Sequence, residues 1–532
     1  MSERGLTLAL PLFVFEPIRP TMRANLDDLP ELQEARALWG QGRVRAALDA
    51  FAAAARRHPR HARALADAAR SHGGAHRMRE ALGWARALAK LARNHPVIAE
   101  LAGQTYQIIG RHDLAVSLLQ QAARGGRVNA LLALAVHSER AHHLDRALRQ
   151  LDRLESLAPG HPAGAFLRAR IDRRQGRAAP ALAAFRRIFS DTSLPEIFRA
   201  EAGTEAAAAL DAQGLRDEAC EEAARAKALL RPEAEAIAKQ SDGESRRLAS
   251  LVEGFDSDAL AAWREEAPPD SPEAPRVTLL AGCPRSGTTL LGRMLESLSG
   301  TVLADEFDIL PKWVQPVLFE GVASDADGAE ALAQIRPEAL AAARRLYLDL
   351  HRARFGKPLG GLLLIDKNPS ITGLIPAFLR LFPHARVLMP LRDPRDIALS
   401  CFLRHFPVNT VSRDFLTLPE AARRTTAELR LWIGLRQRLP ADAWCEVRYE
   451  NLVTRPEATL RPVCEALGIE WSAAALDFHR RRPVRPVTSP SYEGVAQPLF
   501  TTSVGRWRPC AAHFGDSLGE LEAVGREIGC LA

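Results

Sequence analysis

The sequence predicts a chain in two parts, an all-α repeat region followed by an α/β region with a parallel sheet. Short Ala–Leu elements recur about every 34 residues between positions 47 and 219. Beyond position 276, apolar strand-like runs alternate with helical patterns. The Pro-rich stretch APPDSPEAP at 267–275 lies between the two patterns. A chain of 532 residues is also too long for one hydrophobic core.

From these signals we predict four segments. They are an N-terminal tail (1–28), helical repeats (29–235), a linker (236–275) and a second domain (276–532). Within the linker, a short helix is predicted over 256–266. The apolar run Leu6 to Phe15 is short and has no small-x-small cleavage site, so it predicts a tail or docking segment rather than a signal peptide.

The composition is that of an ordinary globular protein, with 47% hydrophobic and 25% charged residues. A net charge of +7 is mild for this length and does not predict a nucleic-acid partner. The seven cysteines form no C-x-x-C pair, which argues against a disulfide framework or a zinc site and favours the reducing cytoplasm. No run approaches the roughly 18 apolar residues of a membrane span.

In the first region the repeated element occurs at Ala47, Ala81, Ala115, Ala147, Ala181 and Ala219. Short turns such as 41–43 and 110–112 split each unit into two helices. This helix–turn–helix period resembles the tetratricopeptide repeat. The resemblance implies about six units in a superhelix, whose concave groove binds an extended peptide, a partner protein or a second copy of the chain. The histidines here lie mostly at turns and helix ends, which predicts solvated or capping side chains rather than metal ligands.

The second region opens on the stretch 277–298, an apolar strand, a turn bounded by Gly282 and Gly287, and an amphipathic helix. Such a turn is an anion site, because backbone N–H groups and the positive end of the helix dipole meet there. The spacing is that of a P-loop, but Thr288 replaces the Lys that reaches the β and γ phosphates. Arg285 is the only cation in the turn. The turn therefore predicts a phosphate ligand that is not obviously Mg-ATP.

Charged side chains follow three other predicted strands. Glu306 comes after 301–303, Lys367 after 362–365 and Arg392 after 386–390. In an open α/β sheet, ligands bind beyond the carboxyl ends of the strands. We therefore predict that these side chains and the turn at 282–289 form one site.

Three ordered motifs resemble those of sulfotransferases that use 3′-phosphoadenosine 5′-phosphosulfate (PAPS). The run 283–290 resembles their 5′-phosphosulfate loop, 391–400 their 3′-phosphate motif, and 447–452 a strand end of the same family. The segments 480–485, 497–498 and 503–507 are similar to the tail of bacterial tetratricopeptide-repeat sulfotransferases and, more distantly, of tyrosylprotein sulfotransferases. The resemblance implies a P-loop-like α/β fold, with PAPS as co-substrate and no metal.

The resemblance also implies a role for each site residue. The 5′ end of PAPS would be held by the backbone from Arg285 through Gly287 to Thr289, and by the hydroxyls of Ser286, Thr288 and Thr289. The 3′-phosphate would be held by Arg392 and Ser400, with Arg506 and Trp507 as a second clamp. Glu306 would be the base, with Asp305 and Asp308 as rivals, and Lys367 and Arg285 would stabilise the departing phosphate.

These inferences predict transfer of a sulfuryl group to a hydroxyl, with a protein or peptide acceptor favoured over a polysaccharide, lipid or metabolite. The acceptor side is expected around 408–418 and 487–499. Two alternatives remain. Leu362 to Asp366 could be the metal-binding strand of a P-loop kinase, or the chain could be a repeat scaffold whose second domain binds nucleotide without catalysis.

Overall fold

The computed structural model describes residues 26–267, 274–323, 326–480 and 493–531. Most of the predicted N-terminal tail and residues 481–485 of the predicted tail motif lie outside the described residues. The chain forms two compact units, and the boundary between the helical part of the first and the second falls between Asp191 and Thr192.

The first unit consists of helices joined by short turns. They are α1 (Pro30–Gly40), α2 (Val44–Arg57), α3 (Ala62–Gly74), α4 (Met78–Leu91), α5 (Pro96–Ile108), α6 (His112–Arg124), α7 (Val128–Arg140), α8 (Leu144–Leu157), α9 (Pro162–Arg174) and α10 (Ala178–Ser190). Consecutive helices pack in pairs, and each pair packs on the next. The fourth residue of every second helix is a buried Ala, from Ala47 to Ala181, which explains the period seen in the sequence.

Two features of this unit match the sequence-based expectations. A β-carbon placed on Gly103 would lie 2.6 Å from Cγ of Leu119, so a small residue lets α5 and α6 approach closely. The Nδ1 atoms of His61, His95 and His161 each accept a hydrogen bond from the backbone N–H three residues later, at 3.2, 3.5 and 3.3 Å. Capping histidines are therefore confirmed at these positions. That the pairs build a tetratricopeptide superhelix with a concave groove stays a prediction.

The second unit begins with four helices. They are α11 (Glu196–Ala212), α12 (Arg216–Ala228), α13 (Arg231–Glu253) and α14 (Ser257–Glu266). The predicted limits are corrected here, because α11 and α12 belong to the second unit and α13 occupies much of the predicted linker. The reason is packing: α12 contacts residues 508–514, and α13 buries Leu251 and Val252 while packing against later helices of the unit. The short helix predicted over 256–266 is confirmed as α14.

The rest of the second unit is a sheet of five parallel strands with helices between them. Its strands are β1 (Arg276–Leu280), β2 (Thr301–Asp305), β3 (Leu363–Lys367), β4 (Arg386–Leu391) and β5 (Trp444–Arg448). Its helices are α15 (Thr288–Glu296), α16 (Gln315–Leu318), α17 (Gly328–Ala333), α18 (Pro337–Phe355), α19 (Ile375–Leu381), α20 (Pro394–Phe402), α21 (Leu418–Arg438), α22 (Tyr449–Thr454), α23 (Pro456–Leu467) and α24 (Ser517–Glu527). The predicted parallel sheet is confirmed.

The strand order, β2-β3-β1-β4-β5, brings the candidate site residues to one edge. Lys367 at the end of β3 lies opposite Asp305 of β2 on one side and Leu280 of β1 on the other. Leu391 at the end of β4 lies opposite Arg448 of β5. All five strands therefore end at the same edge, where ligands bind in folds of this kind. Among the helices that the structure describes, none has the length and apolar character needed to cross a membrane.

Candidate active site

The turn between β1 and α15 has the backbone shape of an anion cradle. Gly282 and Gly287 have φ of 115° and 110°, and Arg285 also has a positive φ of 70°. A β-carbon on Gly287 would lie 2.8 Å from Cδ2 of Tyr449, so only glycine fits there. The Ser286 hydroxyl donates to the carbonyl of Cys283 at 2.8 Å and tightens the turn. The predicted strand–turn–helix is confirmed, with α15 beginning at Thr288.

The two predicted phosphate motifs contact each other directly. Nε of Arg285 donates to Oγ of Ser400 at 2.9 Å, and Nη1 of Arg392 donates to the carbonyl of Arg285 at 3.0 Å. Arg392 is 5% exposed, and its Nε has no hydrogen-bond partner within the described part of the chain. Residues more than 100 positions apart thus form one cationic region, as the strand ends predicted.

The third motif, 447–452, contacts Arg392 through Tyr449. The guanidinium carbon of Arg392 lies 4.6 Å from the centre of the Tyr449 ring, a cation–π contact. Glu450 accepts a hydrogen bond from the backbone N–H of Asp393 at 3.0 Å, which joins the ends of β4 and β5. Asp393 in turn caps α20 by accepting from the N–H of Arg395 at 2.9 Å, so the predicted helix start is confirmed.

A small cavity opens beside Arg392. Its lining comprises Ala208, Asp211, Arg392, Asp396, Leu399, Ser400, Leu403, Arg404 and Arg506. Arg506 lines this cavity, and its guanidinium is ion-paired with Asp211 of α11. Trp507 does not line the cavity, because its ring lies over the guanidinium of Arg395 at 3.9 Å. Asp396 holds this tail segment in place by accepting the N–H groups of Gly505 at 2.6 Å and Trp507 at 3.0 Å.

Positive charge is concentrated around the cavity. Burial, together with the neighbouring guanidinium groups of Arg404 and Arg392, lowers the pKa of Arg285 to about 10. Burial also raises the pKa of Asp396, although Arg392 and two backbone donors oppose the rise. Arg285 is still protonated at neutral pH, and an anion between the arginines would relieve their mutual repulsion. The charge around the cavity therefore favours an anion.

A second charged cluster lies at the ends of β2 and β3. Lys367 is fully buried, and its Nζ lies 2.7 Å from Oδ1 of Asp305 and 2.5 Å from Oε1 of Glu306. The same Nζ donates to the hydroxyl of Thr289 at 3.3 Å, which connects the cluster to the turn. Burial opposes the charge of Lys367, but the two carboxylates outweigh it and raise its pKa. Lys367 therefore remains a cation beside the anion cradle.

The three candidate bases differ in their surroundings. Asp305 is 13% exposed and forms a second ion pair with Arg293 at 2.8 Å, and Lys367 and Arg293 lower its pKa despite burial. Asp308 pairs with Lys312 at 2.7 Å. The Glu306 side chain is 32% exposed, so it combines contact with Lys367 and access to solvent. The geometry therefore favours Glu306 over its rivals.

Asp366, the residue that a kinase would use for its metal, lies elsewhere. It is 3% exposed and accepts a hydrogen bond from the Tyr347 hydroxyl at 2.7 Å, and burial raises its pKa. Successive residues of a strand point to opposite faces, so Asp366 is directed away from the side on which Lys367 lies. Over the described ranges, no three His, Cys, Asp or Glu side chains are close enough to hold a metal ion.

Sequence reasoning missed several residues at the site, namely Asp211, Asp396, Arg404 and Tyr449. Asp396 lies four residues before Ser400 on one face of α20, and this spacing is a usable signal. Arg404 lies two residues beyond the end of this helix. Tyr449 stands within the third motif. Asp211 has no local signal, since its partner Arg506 is 295 residues away.

Known proteins are similar to this chain in its C-terminal half, which contains the candidate site. Residues 278–473 match the model of the Sulfotransferase family. The C-terminal half contains a sulfotransferase family domain. Protein-tyrosine sulfotransferase 2 of Gallus gallus is 31% identical over 215 residues, which cover 39% of this chain and 54% of that protein. An uncharacterized protein of Aquifex aeolicus is 26% identical over 241 residues, covering 44% of this chain and 30% of that protein.

Each of these matches covers only part of this chain and part of the relative. The chain spans about a third to about half the length of these two relatives, 30% and 54%. Among solved structures, the sulfotransferase domain from the Synechococcus PCC 7002 olefin synthase is similar with a TM-score of 0.34 and 23% identity. That similarity covers 48% of this chain and 97% of the solved one. The helical repeats precede the sulfotransferase family domain in the same chain of 532 residues.

Proposed function

We propose that the sulfotransferase family domain transfers a sulfuryl group from PAPS to a hydroxyl of a protein or peptide. The observation that carries the proposal is the contact between two anion-binding motifs, through Arg285 to Ser400 and Arg392 to Arg285. PAPS has two separated anionic ends, and the turn without its P-loop Lys suits a 5′-phosphosulfate that has no γ-phosphate. The match to the Sulfotransferase family supports the same conclusion.

The residues present fit PAPS. The cradle at Gly287 is closed to any β-carbon and faces the N-terminus of α15, which suits the 5′ end. Arg392, with an unpaired Nε among the described residues, and Ser400 line a cavity that suits the 3′-phosphate. Arg404 and Arg506 would add charge there, and Arg506 would exchange its contact with Asp211 for the phosphate. When bound, PAPS supplies the sulfuryl group and a phosphate leaving group.

The side chains of the chain would then divide the work. Glu306 would accept the proton of the acceptor hydroxyl, because its carboxylate is accessible at the edge where the strands end. Protonation of Glu306 would weaken its ion pair with Lys367 and free one Nζ donor. Lys367 would use that donor, and Arg285 its guanidinium, to stabilise negative charge on the departing phosphate. Proton removal and leaving-group stabilisation would thus be linked through one 2.5 Å contact.

A protein or peptide acceptor is the choice that the relatives favour. The Gallus gallus relative is named a protein-tyrosine sulfotransferase, and helical repeats are a common surface for binding polypeptides. We therefore propose that the first unit binds the acceptor protein or a partner that presents it. Transfer to a polysaccharide, lipid or metabolite instead would show as sulfation of that class in the assay below.

The test is transfer from radiolabelled PAPS to tyrosine-containing peptides and to extracts fractionated into proteins, glycans and lipids. The wild type should label a protein or peptide, and Glu306→Gln should lose at least about 100-fold of the rate, the scale of general-base catalysis. Asp308→Asn, in the same loop but paired with Lys312, is the matched control and should retain activity. Equal rates for Glu306→Gln and wild type would exclude Glu306 as the base.

Binding separates the alternatives. Isothermal titration should detect adenosine 3′,5′-bisphosphate without magnesium, and Arg392→Lys should weaken it because the planar guanidinium is lost. Tight binding of ATP with magnesium in its place would favour a kinase, although the buried position of Asp366 opposes that function. Bisphosphate binding without transfer to any acceptor would favour the non-catalytic scaffold.

A further inference from the structure

A basic groove lies in the first unit, far in sequence from the candidate active site. Its walls are α6 and α8, the second helices of two consecutive pairs, and α7 forms its floor. Its volume is about 410 Å³, within the range of ligand sites. Arg124, Arg146, Arg149 and Arg153 line the walls, and Leu131 and Leu134 line the floor.

The arginines are particular to this position among the repeats. Counting from the start of each second helix, Arg146 is third and Arg149 is sixth in α8. The third residues of the other second helices in this unit are Ala46, Glu80, Leu114 and Pro180. The sixth residues are Asp49, Gly83, Ser117 and Ala183. Packing of a repeat therefore does not require Arg at either place, and a ligand is a separate reason for them.

The charge of the groove is not neutralised from within. Among the residues that the structure describes, no carboxylate forms an ion pair with Arg124, Arg146 or Arg149, and all three are exposed. Two of the three acidic residues of α8 have other partners, since Asp152 pairs with Arg168 at 2.5 Å and Glu155 accepts from the Gly160 N–H at 2.9 Å. The third, Asp145, is exposed and forms no ion pair with a described residue. Arg153 is held over the groove by its bond to the carbonyl of Ala123 at 2.8 Å. An anionic ligand would find preplaced cations here.

We propose that this groove binds an acidic, extended segment of a partner protein. Arg146, Arg149 and Arg153 lie along one face of α8 and span roughly 10 Å at the helical rise of about 1.5 Å per residue. In an extended chain, alternate side chains on one face repeat about every 6.6 Å, so two or three carboxylates match this length. The intervening side chains would point away from these arginines, and Leu131 and Leu134, which line the groove but are only 2% and 3% exposed, leave them little apolar surface to contact. The occupant is thus an extended segment with acidic side chains at alternate positions.

Two other occupants fit less well. Single-stranded nucleic acid is usually held by aromatic side chains that stack on bases, and the groove lining contains no aromatic residue. The chain's own residues 1–25 carry Arg4, Arg19 and Arg23 against Glu3 and Glu16, so their net charge does not complement the groove. The proposal does not depend on sulfuryl transfer and holds for an acceptor or for any other partner.

The test is fluorescence polarisation with the full chain and a labelled octapeptide of alternating Glu and Leu. We expect Arg146→Glu with Arg149→Glu to weaken binding by about tenfold or more, since two attractive contacts become repulsive. The matched control is Arg45→Glu with Arg79→Glu, two exposed arginines at the second positions of α2 and α4, which should change affinity less than about twofold. A Lys–Leu octapeptide should not bind.

Three results would overturn the proposal. One is that wild type and the variant Arg146→Glu with Arg149→Glu bind the acidic peptide with equal affinity. Another is that the control variant Arg45→Glu with Arg79→Glu loses as much affinity as the groove variant. The third is tighter binding of an eight-nucleotide thymidine oligomer than of the acidic peptide, which would assign the groove to nucleic acid. Should the double reversal unfold the unit, as seen by circular dichroism, Arg146→Gln with Arg149→Gln replaces it, with a smaller but measurable loss expected.

Discussion

Lys227 provides a sharp test of how α12 packs within the second unit. This lysine is 2% exposed, and its Nζ donates to the carbonyls of Phe415 at 2.7 Å and Cys401 at 3.2 Å. Burial lowers the pKa of Lys227 from 10.5 to about 7, and no carboxylate among the described residues forms an ion pair that would restore the charge. We predict that replacing it by Met removes a measurable dependence of stability on pH.

The direction and size of this pH dependence of stability follow from proton linkage. Below pH 7 both the folded and the unfolded states bind the proton, and the folded state bears the cost of the buried charge. Between about 7 and 10.5 the unfolded state still binds the proton while folded Lys227 is neutral, so stability rises with pH. The slope is about 1.4 kcal/mol per pH unit, and the whole interval corresponds to about 5 kcal/mol.

The assay is thermal unfolding of wild type and Lys227→Met at pH 7.5 and pH 9.0, in buffers of equal ionic strength. In a unit of this size about 2 kcal/mol corresponds to a change in Tm of roughly 3 °C, so the wild-type Tm should rise by that amount relative to the variant. Lys239→Met, at an exposed lysine of α13, is the matched control and should follow the wild type. The Lys227→Met variant lacks the hydrogen bonds to the carbonyls of Cys401 and Phe415 at both pH values, so their loss cancels when the two Tm differences are compared.

One result would refute the reasoning. If the difference in Tm between wild type and Lys227→Met is the same at both pH values, then Lys227 has the same proton occupancy in the folded and unfolded states. The ammonium group would then have to be solvated, and the packing of α12 against the carbonyls of Cys401 and Phe415 would be incorrect.

Two further predictions concern the candidate site. Gly287→Ala should weaken adenosine 3′,5′-bisphosphate binding by about tenfold and cost about 1–3 kcal/mol of stability, because it adds both backbone strain and a clash with Tyr449. In calorimetry, Gly300→Ala, also at positive φ but with open space around it, should lose stability without losing affinity. Lys367→Met should cost about 3–5 kcal/mol in chemical unfolding, because Asp305 and Glu306 lose a buried counter-charge. An unchanged unfolding midpoint in that variant would show that the cluster does not depend on Lys367.

Much of the fold was predictable because its signals are local. The buried Ala of each second helix repeats with the helix pair, and the apolar runs of β1, β3 and β4 mark strands buried on both faces. The convergence of Arg285, Arg392 and Lys367 followed from one general rule, that parallel strands end at a common edge. These predictions required no knowledge of which elements are neighbours.

What the sequence could not provide were contacts between distant segments. The helices α11 and α12 continue the repeat spacing, and that spacing does not show which part of the chain covers their buried residues. The pairing of Arg506 with Asp211, and the stacking of Trp507 on Arg395 instead of in the cavity, have the same origin. Asp305 and Glu306 are adjacent in sequence, and only features of the fold distinguish them, namely their different burial and the second ion pair of Asp305 with Arg293.

The position of Asp211 also limits how this chain can be divided. By sequence α11 is the opening helix of the last repeat, yet it supplies one wall of the cavity that holds Arg392 and Arg506. A recombinant fragment that starts at the Pro-rich stretch would have five strands and every motif, but its cavity would be open on one side. The shortest fragment with a complete site starts near Thr192. A substitution in α11 would therefore act directly on the proposed nucleotide site, although this helix follows the repeat pattern in sequence.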